Sequence, residues 1–272
     1  MGVIENGYRL DNSRFVDESG VPYGVKHVDN KPRVSAMDYL YDIAEGNVPG
    51  HTVLRRLGHN VDVAAALETV WHNSSLKGYL TSAERLQIAS SDVDDDGSPV
   101  GAGARTLRIT GLDTNYEALT EDVTLNGQTN VLTDASFLRV FDLQVLTAGA
   151  SGANEGTITA SNNADAMVLE EIAIGENLSH SACYTVPLGY TAYIVQVHAA
   201  DASLKGCEFS FWMRVFGGLW TMRRSMVLLD SSIVMPVRIP MAVPAKTDIE
   251  IRCEGIAAGA VATAGFEGWL ET

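Results

Sequence analysis

From about Ser82 to the C-terminus, apolar and polar residues alternate with the period of two that marks half-buried β-strands. Leu107 and Ile109 alternate with Thr106, Arg108 and Thr110. Cys207, Phe209, Phe211, Met213 and Val215 alternate with Glu208, Ser210, Trp212 and Arg214, an inward stripe that predicts a long central strand. Ile249, Ile251 and Cys253 alternate with Asp248, Glu250 and Arg252. Ile233, Met235, Val237 and Ile239 keep the same rhythm. There, Pro236 and Pro240 lack the N–H that a ladder needs, which predicts an edge strand or a bulge. Asn126-Gly127 sits between Glu121–Leu125 and Thr129–Leu132, the strongest short-range signal for a hairpin. Gly217-Gly218 and the run Pro187 to Tyr190 mark further turns. About a dozen strands with turns between them predict an all-β, jelly-roll-like antiparallel β-sandwich over residues 81–272. No βαβ alternation supports a parallel-sheet core.

Two segments precede the sandwich. Residues 35–80 read as a short helical adaptor. Ser35 caps a helix with Asp38 in its first turn, and Tyr39, Leu40, Ile43 and Ala44 form its apolar face. Gly46 stops it and Pro49 lies just beyond. The stretch from Ala64 to Trp71 fits a helix or an extended piece equally well. Residues 1–34 are polar and turn-rich, with Asn6-Gly7, Ser19-Gly20 and Asp29-Asn30 and no sustained period. They read as an extended N-terminal arm. Its isolated apolar residues, Tyr8, Phe15 and Tyr23, are candidate anchors on a neighbouring subunit.

Composition narrows the function classes. The chain has 272 residues, 46% of them hydrophobic and only 19% charged. A net charge of −15 opposes phosphate binding, so a nucleic-acid partner is not expected. The three cysteines, Cys183, Cys207 and Cys253, have no framework spacing and read as buried small hydrophobes rather than disulfides. The N-terminal residues lack the basic and apolar regions of a signal peptide, and no apolar run approaches a membrane span. A membrane partner is not expected.

The best candidate for site chemistry is Asp92-Val-Asp-Asp-Asp-Gly97. Asp92, Asp94 and Asp96 alternate ahead of a glycine as in the first half of a calcium loop, because a hard cation needs several carboxylate oxygens around a sharp turn. The twelfth position is Gly103 rather than Glu, so the closing bidentate ligand of an EF-hand is missing. The competing reading is a solvated acidic turn. The six histidines form neither HxH nor HExxH, Ser151 sits out of register for a GxSxG turn, and no phosphate-binding loop occurs. Calcium is thus the one cofactor that the sequence suggests. Trp212 lies on the face opposite the Phe209–Phe211 stripe and, with Arg214, is a candidate interface anchor.

An ordered series of segments resembles virion structural proteins of tailed bacteriophages of the marine type. It runs through Tyr39-Leu-Tyr-Asp-Ile-Ala-Glu-Gly-Asn-Val-Pro-Gly-His51, Glu68-Thr-Val-Trp71, Gly111-Leu-Asp-Thr-Asn-Tyr-Glu117 and Glu121-Asp-Val-Thr-Leu-Asn-Gly127. It continues with Phe137-Leu-Arg-Val140, Ala148 to Gly156, Pro187 to Tyr193 and Val243 to Ile249. The likeness covers most of the chain after about residue 37. It implies a place in the virion after assembly in the host cytoplasm, and no catalysis. The expected role is capsid decoration or cementing, with a homotrimer or similar oligomer docking on the major capsid protein or other virion proteins. A neck, tail or fibre component with receptor binding is the alternative, and a tail-associated carbohydrate-active enzyme is a third reading. An arm that orders only on its partner is open to protease beforehand. Limited proteolysis of the free protein, read by mass spectrometry, is therefore expected to cut within residues 1–32 first; resistance there would count against the arm.

Overall fold

The computed structural model describes the backbone of six short strands within residues 3–33 and of the chain from Ala36 onward, with side chains from Tyr39 to Thr272. The chain divides into two compact units, residues 1–52 and 53–272. In the first, β1 (Val3–Glu5) pairs with β2 (Tyr8–Leu10), β3 (Phe15–Val16) with β4 (Pro22–Tyr23), and β5 (Lys26–Val28) with β6 (Lys31–Arg33), all antiparallel. Each pair brackets one of the turn-rich stretches of the segment expected as an arm. The side chains of Tyr8, Phe15 and Tyr23, and the cap at Ser35, lie outside the described residues. The helix follows as α1 (Ala36–Ala44). It ends where Gly46 adopts a φ of +77° and donates its N–H to the Ile43 carbonyl at 3.0 Å, the left-handed stop that glycine permits.

The second unit holds two sandwiches, one inserted into the other. The outer one begins with β7 (His51–Val63) and β8 (Glu68–Thr69). The chain then builds β9 (Gln87–Ser90), β10 (Ala104–Leu112), β11 (Ala118–Thr124), β12 (Val131–Leu132), β13 (Arg139–Ala148), β14 (Ile158–Ser161) and β15 (Val168–Ile172). It returns to the outer sandwich with β16 (Cys183–Thr185), β17 (Thr191–Asp201), β18 (Cys207–Arg214) and β19 (Thr221–Leu228). The last three strands are β20 (Ser231–Val243), β21 (Asp248–Gly255) and β22 (Ala260–Glu271).

The strands β8 and β16 lie end to end along one edge of β21, where Thr69 faces Arg252 and Cys183 faces Glu250. Between them the Val70 N–H donates to the Ile251 carbonyl and the Ala182 N–H donates to the Val70 carbonyl, both at 3.0 Å. They are one strand position, cut so that residues 71–181 loop out. With β8 and β16 counted as position two, the outer sandwich has eight strand positions in chain order. One sheet, β7-β22-β17-β20, takes positions 1-8-3-6. The other, β8/β16-β21-β18-β19, takes 2-7-4-5. This is the strand order of a jelly roll. Phe209, Phe211, Ile249 and Ile251 from one sheet meet Ile194, Val197, Ala262 and Phe266 from the other. Phe211 and Phe266 meet edge to face at 5.9 Å. In the inserted sandwich, β11-β10-β13 packs on β12-β9-β14-β15 around Leu86, Ile88, Leu107, Ile109, Phe137 and Leu143.

The all-β sandwich expected from the alternation is present, and several local expectations change. The segment expected as a helical adaptor also contains β7. Its buried positions are Leu54, Arg56, Gly58, Asn60 and Val63, a mixed set that hides the two-residue period. Gly58 is required there because a Cβ would stand 2.0 Å from the Val70 carbonyl oxygen and 2.6 Å from the Ala182 nitrogen. The Asn126-Gly127 turn does not close a hairpin. It carries the chain from β11, paired with β10, to β12, paired with β9 in the other sheet. Its backbone is claimed by the acidic loop instead: the Gly127 N–H donates to Asp95 O and the Ser90 N–H to Gly127 O, both at 2.9 Å. The long strand β18 ends at Arg214, so Val215 is exposed rather than inward. The strand β20 is both an edge and bulged, its register shifting between Gln196↔Pro236 and Ile194↔Met241. That shift leaves Ile239 84% exposed.

Candidate functional site

The chemistry-bearing side chains converge where the inserted sandwich meets the outer face of β21. Alternation along β21 sends Ile249, Ile251 and Cys253 into the jelly-roll core and Asp248, Glu250 and Arg252 to the opposite face. That second face is also covered: Asp248, Glu250 and Arg252 are 3%, 0% and 8% exposed. Charges removed from water in this way must be paired, and each forms an ion pair, although the buried Nε of Arg252 has no hydrogen-bond partner. Asp248 accepts Arg139 Nε from β13 at 2.9 Å, Arg214 Nε from β18 at 2.8 Å and Thr185 Oγ1 from β16 at 2.6 Å. Glu250 accepts the Thr69 hydroxyl, Arg252 Nη2 at 3.1 Å and the Tyr79 hydroxyl at 3.3 Å. Burial, reinforced by the Glu250 charge, pushes the Tyr79 phenol well above its usual range, so it stays a donor.

Two more ion pairs extend this seam. Lys77 Nζ binds Glu170 of β15, which also accepts Ser181 Oγ at 2.8 Å. Arg56 of β7 grips Asp142 of β13 with Nη1 at 2.7 and 2.8 Å, and its Nη2 donates to the Phe141 carbonyl at 2.6 Å. Arg56–Asp142 joins a strand of the jelly roll to a strand of the insert, and Lys77–Glu170 ties the first residues of the insert to its last strand. The thiol of Cys183 lies in the same seam and is pushed far above its usual range by burial, so it is no nucleophile.

Aromatic rings fill the space between the cations. Arg252 lies 4.8 Å from the Trp212 ring and 4.7 Å from the Trp220 ring. Arg214 lies 4.8 Å from both Trp220 and Tyr79. Arg139 stands over Tyr79 at 5.2 Å and over Tyr116 at 5.7 Å. Lys246 ends the series, 5.1 Å from both Tyr116 and Phe216. Desolvated cation–π contacts of this kind contribute about 1–2 kcal/mol each. The outer end of the series opens into a cleft of about 390 Å³ bordered by Tyr116, Phe216, Lys246 and Arg139. Trp212 and Arg214, expected as outward anchors, are therefore occupied inside this chain. Trp212 also donates its Nε1 to Ser210 Oγ at 2.7 Å. Removing the carboxylate of Asp248 strands two guanidinium groups, so Asp248→Ala is expected to cost roughly 3–5 kcal/mol in urea unfolding. Arg108→Ala breaks only the exposed pair with Asp122, and its unfolding midpoint is expected to stay close to that of the unaltered protein.

The acidic loop follows β9. Asp92 Oδ1 accepts the Asp94 N–H at 2.8 Å and Asp96 Oδ1 accepts the Ser98 N–H at 2.7 Å, so both carboxylates shape local turns. Asp94 is exposed. Among the described residues, no three His, Cys, Asp or Glu side chains converge to hold a metal ion. The residue that organises the loop is Asp95, which is fully buried. It accepts Ser90 Oγ at 2.6 Å and the N–H groups of Ala104, Glu155 and Gly156 at 2.7, 2.9 and 2.9 Å. No spacing rule distinguishes it from its acidic neighbours; only the fold turns it inward. Losing its four bonds leaves buried donors unmet, so Asp95→Ala is expected to lower the melting temperature by roughly 5–10 °C. Asp94→Ala is expected to leave it unchanged, with or without calcium. A calcium-dependent loss of stability in Asp94→Ala would support the metal-loop reading.

No protein-family model matches the chain, and no curated protein does. Solved structures do match. A structure of the infectious bursal disease virus Gx strain is 11% identical, covering 81% of this chain and 72% of that chain, with a TM-score of 0.23. A structure of the Gt strain is 11% identical over 85% of this chain and 75% of that one, with a TM-score of 0.19. The crystal structure of the VP2 subviral particle of the same virus is 10% identical over 86% of each chain, with a TM-score of 0.14. At these scores the likenesses add no weight to any functional reading.

Proposed function

We propose that this chain is a non-enzymatic structural protein of a virus particle, most in keeping with a decoration or cement protein on the head of a tailed bacteriophage. The observation that carries the reading is the strand order: a jelly roll with a second sandwich inserted into one of its strand positions and held by buried ion pairs. Jelly rolls serve viral shells, lectins and cupins, and fold alone does not choose among them. The interior argues against a ligand-holding barrel, because Phe209, Phe211 and Phe266 fill it and are at most 1% exposed. The carboxylates best placed for acid–base work, Asp248 and Glu250, are held as acceptors by Arg139, Arg214 and Arg252. That disfavours a carbohydrate-active enzyme. The ordered resemblance to tailed-phage virion proteins points the same way as the strand order.

A second reading, a neck or tail component that binds a receptor, is favoured by the open cleft beside Tyr116, Phe216 and Lys246. Aromatic faces and a cation are the groups that hold an acidic sugar. Immunogold electron microscopy of virions carrying this gene, with antibody to residues 53–272, separates the readings. Gold over the whole head is expected for a decoration protein, and gold at one vertex would mean neck or tail. Particles without label, from a lysate that contains the protein, would sink both.

A further inference from the structure

Charge is distributed unevenly along the chain. Residues 71–181, which form the inserted sandwich, carry sixteen carboxylates against five lysines and arginines, a net of −11 within a chain of −15. Residues 219–243, which form β19, β20 and their turn, carry three arginines against one carboxylate, a net of +2. This ribbon also exposes a run of large apolar side chains. Val227, Val234 and Ile239 are 61%, 63% and 84% exposed, and Met222 and Leu229 stand out beside them.

Both strands are sheet edges, β19 pairing with β18 and β20 with β17 on one side only. Arg223 and Arg238 are exposed, and half-buried Arg224 donates to the Met235 sulfur at 3.2 Å. Among the described residues, none of the three forms an ion pair. Exposed aliphatic and methionine side chains interleaved with unpaired arginine have the composition of an interface core. An unpaired strand edge adds a reason to be covered.

We propose that this ribbon docks on the inserted sandwich of a second copy of the same chain. The inference rests on the reading that the protein assembles with itself, and it names the two surfaces involved. Charge selects the occupant. A ribbon-to-ribbon contact would bring six arginines together, whereas the insert offers exposed carboxylates such as Asp94, Glu117 and Glu155. Residues 1–34 carry five charges of each sign, so they have no comparable attraction for it. The two surfaces differ, so the contact is head-to-tail, and it closes into a ring or extends as an array according to its rotation. Pro236 and Pro240 withhold two N–H groups from the β20 edge, so the contact is made by side chains rather than by strand addition.

Sedimentation velocity of the full chain tests this. Association is expected at about 50 mM salt and is expected to weaken about tenfold or more at about 500 mM. The triple variant R223E/R224E/R238E is expected to associate at least about tenfold more weakly while melting at nearly the same temperature, because none of these arginines has an ion pair to lose. Its acidic sandwich is intact, so added to the unaltered protein it should bind and cap growing oligomers, shifting the mixture to smaller species. A variant that associates as well as the unaltered chain would overturn the proposal. So would a full chain that stays monomeric at about 100 μM and low salt. If that monomer also protects β19 and β20 from hydrogen exchange, the occupant is the chain's own N-terminal segment. Head-to-tail association in a protein that never labels virions would retain this inference and remove the virion reading.

Discussion

The bridge from Arg139 through Asp248 to Arg214 is the constraint on which the two-sandwich unit depends. One carboxylate on the central strand β21 holds a guanidinium from the inserted sandwich and another from the neighbouring strand of the jelly roll. Its third partner, Thr185, lies on β16, the strand that resumes after the insertion. A single buried charge therefore ties together the place where the chain re-enters the jelly roll, the sheet it re-enters and the domain it has just built. Buried ion pairs contribute little net stability compared with apolar packing, but breaking one is costly. Their value here is geometric. Arg56–Asp142 flanks the bridge, and the two directional contacts restrict the orientation of the insert where a greasy surface would allow several.

The cost of desolvating so many charges explains the aromatic series beside them. Arg139, Arg214 and Arg252 each put a donor on a carboxylate and lie over an aromatic ring, which offsets part of that cost. The arrangement requires arginine. Lysine has no planar face to stack between Tyr79 and Trp220 and no fork to share with Asp248. The one lysine in the series, Lys246, stands at the open end where water remains available.

Outside the seam the molecule is polar in a larger sense. Its acidity is concentrated in the insert, and three arginines without an ion pair lie together on the ribbon of β19 and β20. A subunit that must recognise copies of itself in one orientation gains from such a division, because opposite charge speeds the correct encounter and like charge resists the wrong one.

The sequence by itself determined the class of the fold and the core faces of its main strands. Leu107, Ile109, Phe209, Phe211, Ile249 and Ile251 alternate with polar residues and are buried as expected. Alternation needs only a local period, so it is legible one strand at a time. It also located the stop of α1 at Gly46 and the edge character of β20, because glycine and proline act through their own backbones. The tertiary structure decided the rest. Asp248, Glu250 and Arg252 look like a solvent-facing row and are instead the floor of a domain interface, since nothing local records that a segment inserted far upstream folds over them. The strand β7 was hidden because its inward residues are chosen by distant partners: Arg56 by Asp142, Gly58 by the passing backbone of Val70 and Ala182, and Asn60 by Glu68. The same holds for Asp95 among four neighbouring aspartates. Where a residue is selected by what lies across a sheet or between domains, its pattern along the chain carries no period, and only the fold reveals its role.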